Sequence, residues 1–452
     1  MISRRQFIER SALATCGILL GNSALSAAAT SKKPKVIIIG AGFSGLAAAY
    51  SLKKKNIDFI ILESRSRIGG RVFSHTMDEA EKLVIELGAE WVGASHNRLI
   101  SLTEEMELKL ENNQFDTNLI YRGEFFKKGE WDYSNEWKLK FESLLKAYPD
   151  LTSDDKINLD KIDWWRYLVN NGCQGRDLDL RELADSTDFG ETIRSVSAFS
   201  ALAEYAESSP KNEMDYKIQG GNGKLAERLA DKIGLEKILL KTKVERIVQG
   251  KNVIVYCNNG ETYEADKIIC TAPTLAVKKI KWEPELSIEM QGALNQLQYA
   301  RINKNPILFK ERFWNDESFD LLTDTPAHYF YHATKNQVSK KGVLISYTIG
   351  DKAAVIASQN DAWKADMLHQ NLSPYFGNIK DMIEKQTNYY WGDDEISLGA
   401  YATYGKGQWF GLQPILKKPF LNTHFAGEHL ADWQGFMEGA INTGEEAAEA
   451  IL

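Results

Sequence analysis

Cysteine is scarce in this sequence, with four residues in 452. Cys16, Cys173, Cys257 and Cys270 are widely spaced and form no C-x-x-C, so a disulfide framework is not the basis of the fold. Positive charge is in deficit: 55 Lys and Arg stand against 62 Asp and Glu, a formal −7. That balance argues against nucleic acid as a partner. After the N-terminus no stretch approaches the roughly 20 apolar residues of a spanning helix, so stable membrane insertion is not expected. Neither G-x-S-x-G nor H-E-x-x-H occurs, and there are no internal repeats or low-complexity tracts. His328 and His332 in "HYFYH" are separated by aromatics that favour a strand. The strand would point both to one face about 13 Å apart, too far for a shared metal. No metal site is predicted.

What is present begins with "SRRQFIERSALATCGILLGNSALSAAAT". An arginine pair, an apolar run and small residues near Ala27 to Ala29 read as a twin-arginine export signal over residues 1–30. The twin-arginine export machinery is then a partner, and the location is periplasmic or secreted. That route carries folded proteins, which suits a chain that takes up a cofactor before export. The length is too great for one ordinary core, so two domains are expected.

"KPKVIIIGAGFSGLAAAYSLKKKNIDFIILES" opens with a β-branched run, Lys35 to Ile39, as expected of a strand buried on both faces. Gly40-x-Gly42-x-x-Gly45 follows at once, then a small-residue helix and a second apolar run ending in Glu63. The three glycines serve a tight turn, backbone approach to a pyrophosphate and close helix-to-strand packing. The helix N-terminus faces the phosphates, and Glu63 is placed to accept from a ribose hydroxyl. A dinucleotide site follows, without a choice between NAD and FAD.

The next segments resemble the FAD-dependent amine oxidase family, which includes monoamine oxidases and L-amino acid oxidases. "ESRSRIGGRV" (63–72) looks like the family segment whose arginines and paired glycines lie along pyrophosphate and flavin. "IELGAEWVG" (85–93) resembles its flavin-edge segment, and "IQGGNGKLAERLADKI" (218–233) a glycine turn opening a helix. The resemblance implies FAD contacts at Phe43, Ser44, Ser64, Arg65, Gly69, Gly70, Arg71, Gly88, Ala89, Glu90, Trp91 and Val244, besides the fingerprint residues. "FAGEHLADWQGFMEGAINTG" (425–444) would fold back onto the first strand and close the flavin site. Gly427, Glu428, Gly435, Phe436 and Met437 would contribute there, with a helix N-terminus facing the flavin ring.

The fold implied is α/β: a Rossmann-like FAD-binding domain of the GR2 type, with a discontinuous α+β substrate domain that includes a helical cap. The FAD-binding domain is expected from 31–88, 212–282 and 392–452, and the substrate domain from 89–211 and 283–391. Residues 99 to about 206 show helical periodicity and little β alternation. Asn259-Gly260 marks a hairpin between short strands.

By the same resemblance, three residues would carry the chemistry. Lys304 in "YARINKNPILFKERFW" would be a buried cation that reaches flavin N5 through water and assists reoxidation by dioxygen. Tyr401 and Phe436 would form two aromatic walls guiding the amine to the ring. In "WGDDEISLGAYATYGKGQW", Trp391, Asp394, Ser397, Gly399 and Tyr401 fit the family pattern. Ala400 stands where covalently flavinylated members carry cysteine, so FAD is expected to be non-covalent. The reaction implied is hydride transfer from the amine-bearing carbon to FAD N5, giving an imine, with dioxygen reduced to hydrogen peroxide. An L-amino acid substrate would need a pocket arginine for its carboxylate; Arg98, Arg166, Arg194 and Arg301 are candidates. A desaturase-like or protoporphyrinogen-oxidase-like flavoprotein, and a non-catalytic FAD scaffold, are the other readings. Oligomeric state is left open.

Overall fold

A computed structural model describes residues 33–452. The expected export signal, with Cys16, lies outside the described residues. A five-stranded parallel sheet is built around Lys35–Ile39, whose Val36 to Ile39 are buried. Asp58–Leu62 pairs on one side and Lys267–Cys270 on the other, with Ile238–Leu239 and Thr423–Phe425 at the edges. Continuous Val, Ile and Leu runs suit strands covered on both faces.

The helix Phe43–Lys54 leaves the first strand and buries Ala47, Ala48 and Ala49. Its small side chains admit the C-terminal helix Met437–Ala450 to close contact. A methyl group on Gly45 would stand 2.0 Å from the Gly40 carbonyl oxygen, so only glycine lets this helix start so near the strand. The C-terminal segment was expected on the first strand itself. Thr423–Phe425 instead pairs with Lys267–Cys270, one strand away, and the following helix lies on Phe43–Lys54.

Val244–Gln249, Val253–Cys257, Thr262–Ala265 and Lys281–Glu283 form a small four-stranded sheet, and the Asn259-Gly260 turn joins the antiparallel Val253–Cys257 and Thr262–Ala265. A large mixed sheet is centred on Ile302–Phe309, Gly342–Ile349, Tyr329–His332 and Phe319–Thr323, all buried. Asp116–Tyr121 runs parallel to Phe319–Thr323 and carries Glu124–Phe126 at the edge. Asn97–Glu105 is helical as expected, but this strand corrects the expectation of a largely helical region from residue 99 to about 206. Asn118 to Tyr121 are buried, so the strand shows no polar alternation to read. Helix resumes at Asn135–Ala147 and continues through Ser153–Asp160, Trp164–Asn170, Gly175–Phe189 and Ala198–Glu207. Ser134, Thr152, Asp163 and Ser197 cap four of these helices through their side chains.

His328 is corrected too. It precedes the strand Tyr329–His332 in a left-handed conformation, with φ 65°, so the two histidines do not share a face. His328 Nε2 contacts the Thr187 hydroxyl at 2.9 Å, while the His332 ring meets Trp314 edge-on. Among the described residues no group of His, Cys, Asp and Glu is arranged to hold a metal.

Candidate active site

The cavity at the junction of these sheets encloses about 340 Å³. Gly40 and Gly42 enter it from the first strand, with Phe43 and Ser44 opening the helix beyond. That helix has Gly42 at its N-cap and no side-chain cap. The Ser44 hydroxyl is buried without a partner among the described residues. Free backbone N–H groups and an unpaired hydroxyl are what a pyrophosphate needs. Glu63 accepts from Ala41 N and Arg65 N, both at 2.7 Å, one on each carboxylate oxygen. The Ser64 hydroxyl also donates to Oε1 at 3.3 Å, so it is Oε2 that keeps a lone pair for a ribose hydroxyl. Gly69 and Gly70 lie against Gly42, and Gly69 N donates to Ala41 O at 2.8 Å. These donors and acceptors fit an FAD.

Two arginines knit the N-terminal loop to the C-terminal segment. Arg65 donates twice to Asp394, at 2.8 and 2.6 Å, and to Ser397 at 2.8 Å. Against the upward push of burial, those bonds hold Asp394 well below the usual carboxylate range. Arg71 donates to Glu428 at 2.6 Å and to the Ala400 carbonyl at 2.7 Å. Glu428 also accepts from Ala402 N and Gly435 N. Met437 begins a second helix whose N-cap, Phe436, makes no side-chain cap. Two helix N-termini therefore face one cavity.

Lys304 lies on a fully buried strand, and Ile302 shares its face. Its ammonium donates to Gly88 O at 2.8 Å, Glu86 O at 3.0 Å and Glu90 Oε2 at 3.4 Å. The Trp91 and Tyr331 rings flank it at 5.8 and 5.6 Å. Burial lowers its pKa, with Glu90 and Glu86 opposing. Glu90 also accepts from Lys217 at 3.1 Å and from the Tyr331 hydroxyl at 3.1 Å. The Lys217 pKa moves the other way, because Glu90 and Glu86 outweigh its burial. Burial pushes Glu86 up to about 7, Lys217 opposing and Glu90 adding. The Lys304 cation is thus one corner of a buried group of two acids and two bases.

Tyr401 and Phe436 line the same cavity but are held differently. The Tyr401 hydroxyl contacts Tyr347 Oη at 3.2 Å and donates to the Asp188 carbonyl at 3.1 Å. The Phe436 ring sits edge-on to His96 and Trp433, at 5.0 and 5.8 Å. Trp391 is buried in the wall and donates to Leu87 O at 2.8 Å. Gly88, Ala89, Trp91, Gly427, Gly435 and Met437 complete the expected lining. Gly45 is a packing residue beneath it. Ser64 and Val244 line a smaller adjoining cavity of about 60 Å³, which shares Gly40 and Ala272 with the first.

None of the four candidate arginines lines the cavity. Arg98 is bound to Glu445, Arg301 to Glu191 and Asp351, and Arg166 and Arg194 cover Trp165. Sequence reasoning missed Glu86, Lys217, Asp188, Tyr347 and Asp320. Asp320 carried a readable signal, an acid inside the apolar run Phe319–Thr323.

The profile of the family described as flavin containing amine oxidoreductase matches residues 43–452. The chain belongs to that family. Flavin containing amine oxidoreductases are FAD-dependent enzymes that oxidise amines, and this activity and cofactor extend to the chain. Flavin-containing amine oxidase B of Rattus norvegicus is 26% identical over 93% of this chain and 86% of its own length. The human form is 25% identical over the same shares. Among solved structures, a putrescine oxidase redesigned at its cofactor site superposes with a TM-score of 0.83 at 21% identity, covering 93% of this chain and 99% of its own. Cyclohexylamine oxidase from Brevibacterium oxydans IH-35A gives 0.81 at 22% identity over the same shares.

Proposed function

We propose that this flavin containing amine oxidoreductase is an oxidase of free amines rather than of L-amino acids, using dioxygen and releasing hydrogen peroxide. The observation that carries this reading is the convergence of two uncapped helix N-termini, Lys304, Tyr401 and Phe436 on one cavity with no uncommitted arginine among the described residues of its wall. Bound FAD supplies the hydride acceptor and the site of dioxygen reduction. The chain's own residues do the rest. The helix N-termini favour negative charge on the cofactor. Tyr401, Tyr347, Phe436 and Trp91 exclude water and hold the neutral amine in place. Lys304 keeps a cation, pinned by Glu90, beside the reacting region.

Ala400 at the cavity wall supports non-covalent FAD. The division into an FAD-binding domain (31–88, 212–282, 392–452) and a substrate domain (89–211, 283–391) is supported by the sheets. Every strand of the parallel sheet falls in the first set, and every strand of the large sheet in the second. The arginine pair and apolar run at residues 4–20 support export by the twin-arginine machinery to a periplasmic or secreted location.

The test is anaerobic mixing of purified holoenzyme with panels of amines and of L-amino acids, followed by admission of air. Amines should bleach the flavin, and air should restore it with stoichiometric peroxide. Bleaching by amino acids alone, or no bleaching at all, refutes the reading.

A further inference from the structure

The cavity wall carries more acid than its cofactor needs. Its three bases each face an acid already: Arg65 meets Asp394, Arg71 meets Glu428, and Lys304 meets Glu90. Of the other acids in the lining, which include Glu204, Glu63 is held by Ala41 N and Arg65 N, and Glu213 by Ser95 Oγ and Ser209 N. Asp188 and Asp320 are different.

Asp320 sits in the wholly buried strand Phe319–Thr323 and lines the cavity. Its Oδ2 accepts from Tyr329 Oη at 2.8 Å and Thr117 Oγ1 at 3.0 Å. Its Oδ1 is buried with no partner among the described residues. A carboxylate oxygen left unmatched in an apolar wall is costly unless a donor arrives. Asp188 takes bonds from Tyr205 Oη and Asn212 Nδ2 on Oδ2, and is only half-buried. Burial pushes both carboxyls up to about 7, Asp185 adding at Asp188, and neither Arg181 near Asp188 nor Lys335 near Asp320 offsets it.

The sheet register sets the separation. Lys304 lies opposite Tyr347, Tyr347 opposite Tyr329, and Tyr329 opposite Leu322, with Asp320 two residues further on. Lys304, Tyr347, Tyr329, Leu322 and Asp320 therefore share the face that lines the cavity. Three strand spacings of roughly 4.8 Å place the acid strand about 14 Å from the lysine strand. A substrate with its reacting nitrogen near Lys304 and Tyr401 would direct its far end towards Asp320.

We propose that the substrate carries a second positive charge, and that Asp320 seats it, with Asp188 as a second carboxylate facing the cavity. The class is a diamine or polyamine whose distal ammonium donates to Asp320 Oδ1. The proposal rests on the amine-oxidase reading of the same cavity.

The experiment compares kcat/KM, from peroxide release by the holoenzyme, for α,ω-diaminoalkanes and 1-aminoalkanes of matched length. The diamine of best length should be preferred by about 10- to 100-fold, the worth of one hydrogen bond to a charged group. Asp320→Asn should cut kcat/KM for the diamine at least about tenfold more than for the monoamine, mainly through KM. Equal use of both classes by the wild type, or equal loss with both in the variant, overturns the proposal while leaving the amine-oxidase reading intact. If no amine of either class reduces the flavin anaerobically, both fall. Should Asp320→Asn fail to fold, the wild-type preference and Asp188→Asn decide the matter by the same criteria.

Discussion

Gly444 rests on the backbone of Ser44: a methyl group on Gly444 would stand 2.1 Å from the Ser44 carbonyl oxygen. That contact joins the last helix of the chain to the helix of the glycine loop. Each of the two opens uncapped onto the cofactor cavity. Residues 434–437 and Ala440 therefore reach the cavity on a helix that Gly444 lets touch its neighbour.

Gly444→Ala should separate those helices and cost about 1–3 kcal/mol, the usual penalty for overpacking a close contact. FAD retention should fall with it, since both N-termini move. Gly411→Ala is the control, because a methyl group there meets nothing within 4 Å in the helix Gln408–Lys417. Alanine's higher helix propensity should leave that variant as stable as the wild type or more so, by up to about 1 kcal/mol. Urea denaturation of both holoproteins makes the comparison. Equal midpoints would show that the helix contact has slack.

Lys304→Met removes the buried cation but keeps an unbranched side chain only one atom shorter. Reoxidation of reduced flavin by dioxygen should slow by about 10²- to 10³-fold, as when one preorganised electrostatic group is removed. Flavin content should change little, because Lys304 bonds to Glu86 O, Gly88 O and Glu90 rather than to the glycine loop. Stopped-flow mixing of reduced enzyme with dioxygen reads the rate directly. An unchanged rate removes Lys304 from the chemistry.

Much of this was legible in the sequence, and the boundary has physical reasons. The strand Lys35–Ile39, its glycine turn and Glu63 were readable because covalent neighbours do one job together. Lys304 and Tyr401 were assigned through resemblance alone, as nothing local in either segment specifies a cavity. Asp116–Tyr121 escaped because burial on both faces removes its alternation. The ion group of Glu86, Glu90, Lys217 and Lys304 draws on three separate segments and exists only after folding. Ser64 and Val244 were grouped with the main lining but border the smaller cavity, a distinction of a few ångströms that spacing does not encode.

Glu86 offers a test by pH. Burial raises its folded-state pKa to about 7, above that of an unfolded glutamate. Below the unfolded value both states are protonated and the group is neutral to stability. As pH rises towards 7 the unfolded chain ionises first, so Glu86 increasingly disfavours the fold, and above 7 the penalty is constant. Glu86→Gln should therefore gain stability relative to the wild type as pH goes from about 5 to about 8. Thermal melts at both values give the difference. A gap independent of pH would mean that Lys217 and Lys304 keep Glu86 ionised throughout.

Glu428 should matter more than any surface pair. It accepts from Arg71 at 2.6 Å, from Gly435 N at 2.8 Å and from Ala402 N at 3.2 Å, so one carboxylate ties the N-terminal loop to two C-terminal segments. In Glu428→Gln the amide presents only one acceptor, and its NH2 cannot face both the Arg71 guanidinium and the backbone donors favourably. Breaking a mostly buried pair on one side costs about 3–5 kcal/mol, because the other charge is left uncompensated. The exposed pair Arg246 with Glu283 sets the scale for comparison, and Arg246→Ala should shift stability by less than about 1 kcal/mol. Flavin absorbance relative to protein absorbance after gel filtration should drop sharply for Glu428→Gln and stay level for Arg246→Ala. If Glu428→Gln keeps its full flavin and its midpoint, the two ends of the chain are held at the cofactor by packing alone, with Arg71 satisfied by the Ala400 carbonyl.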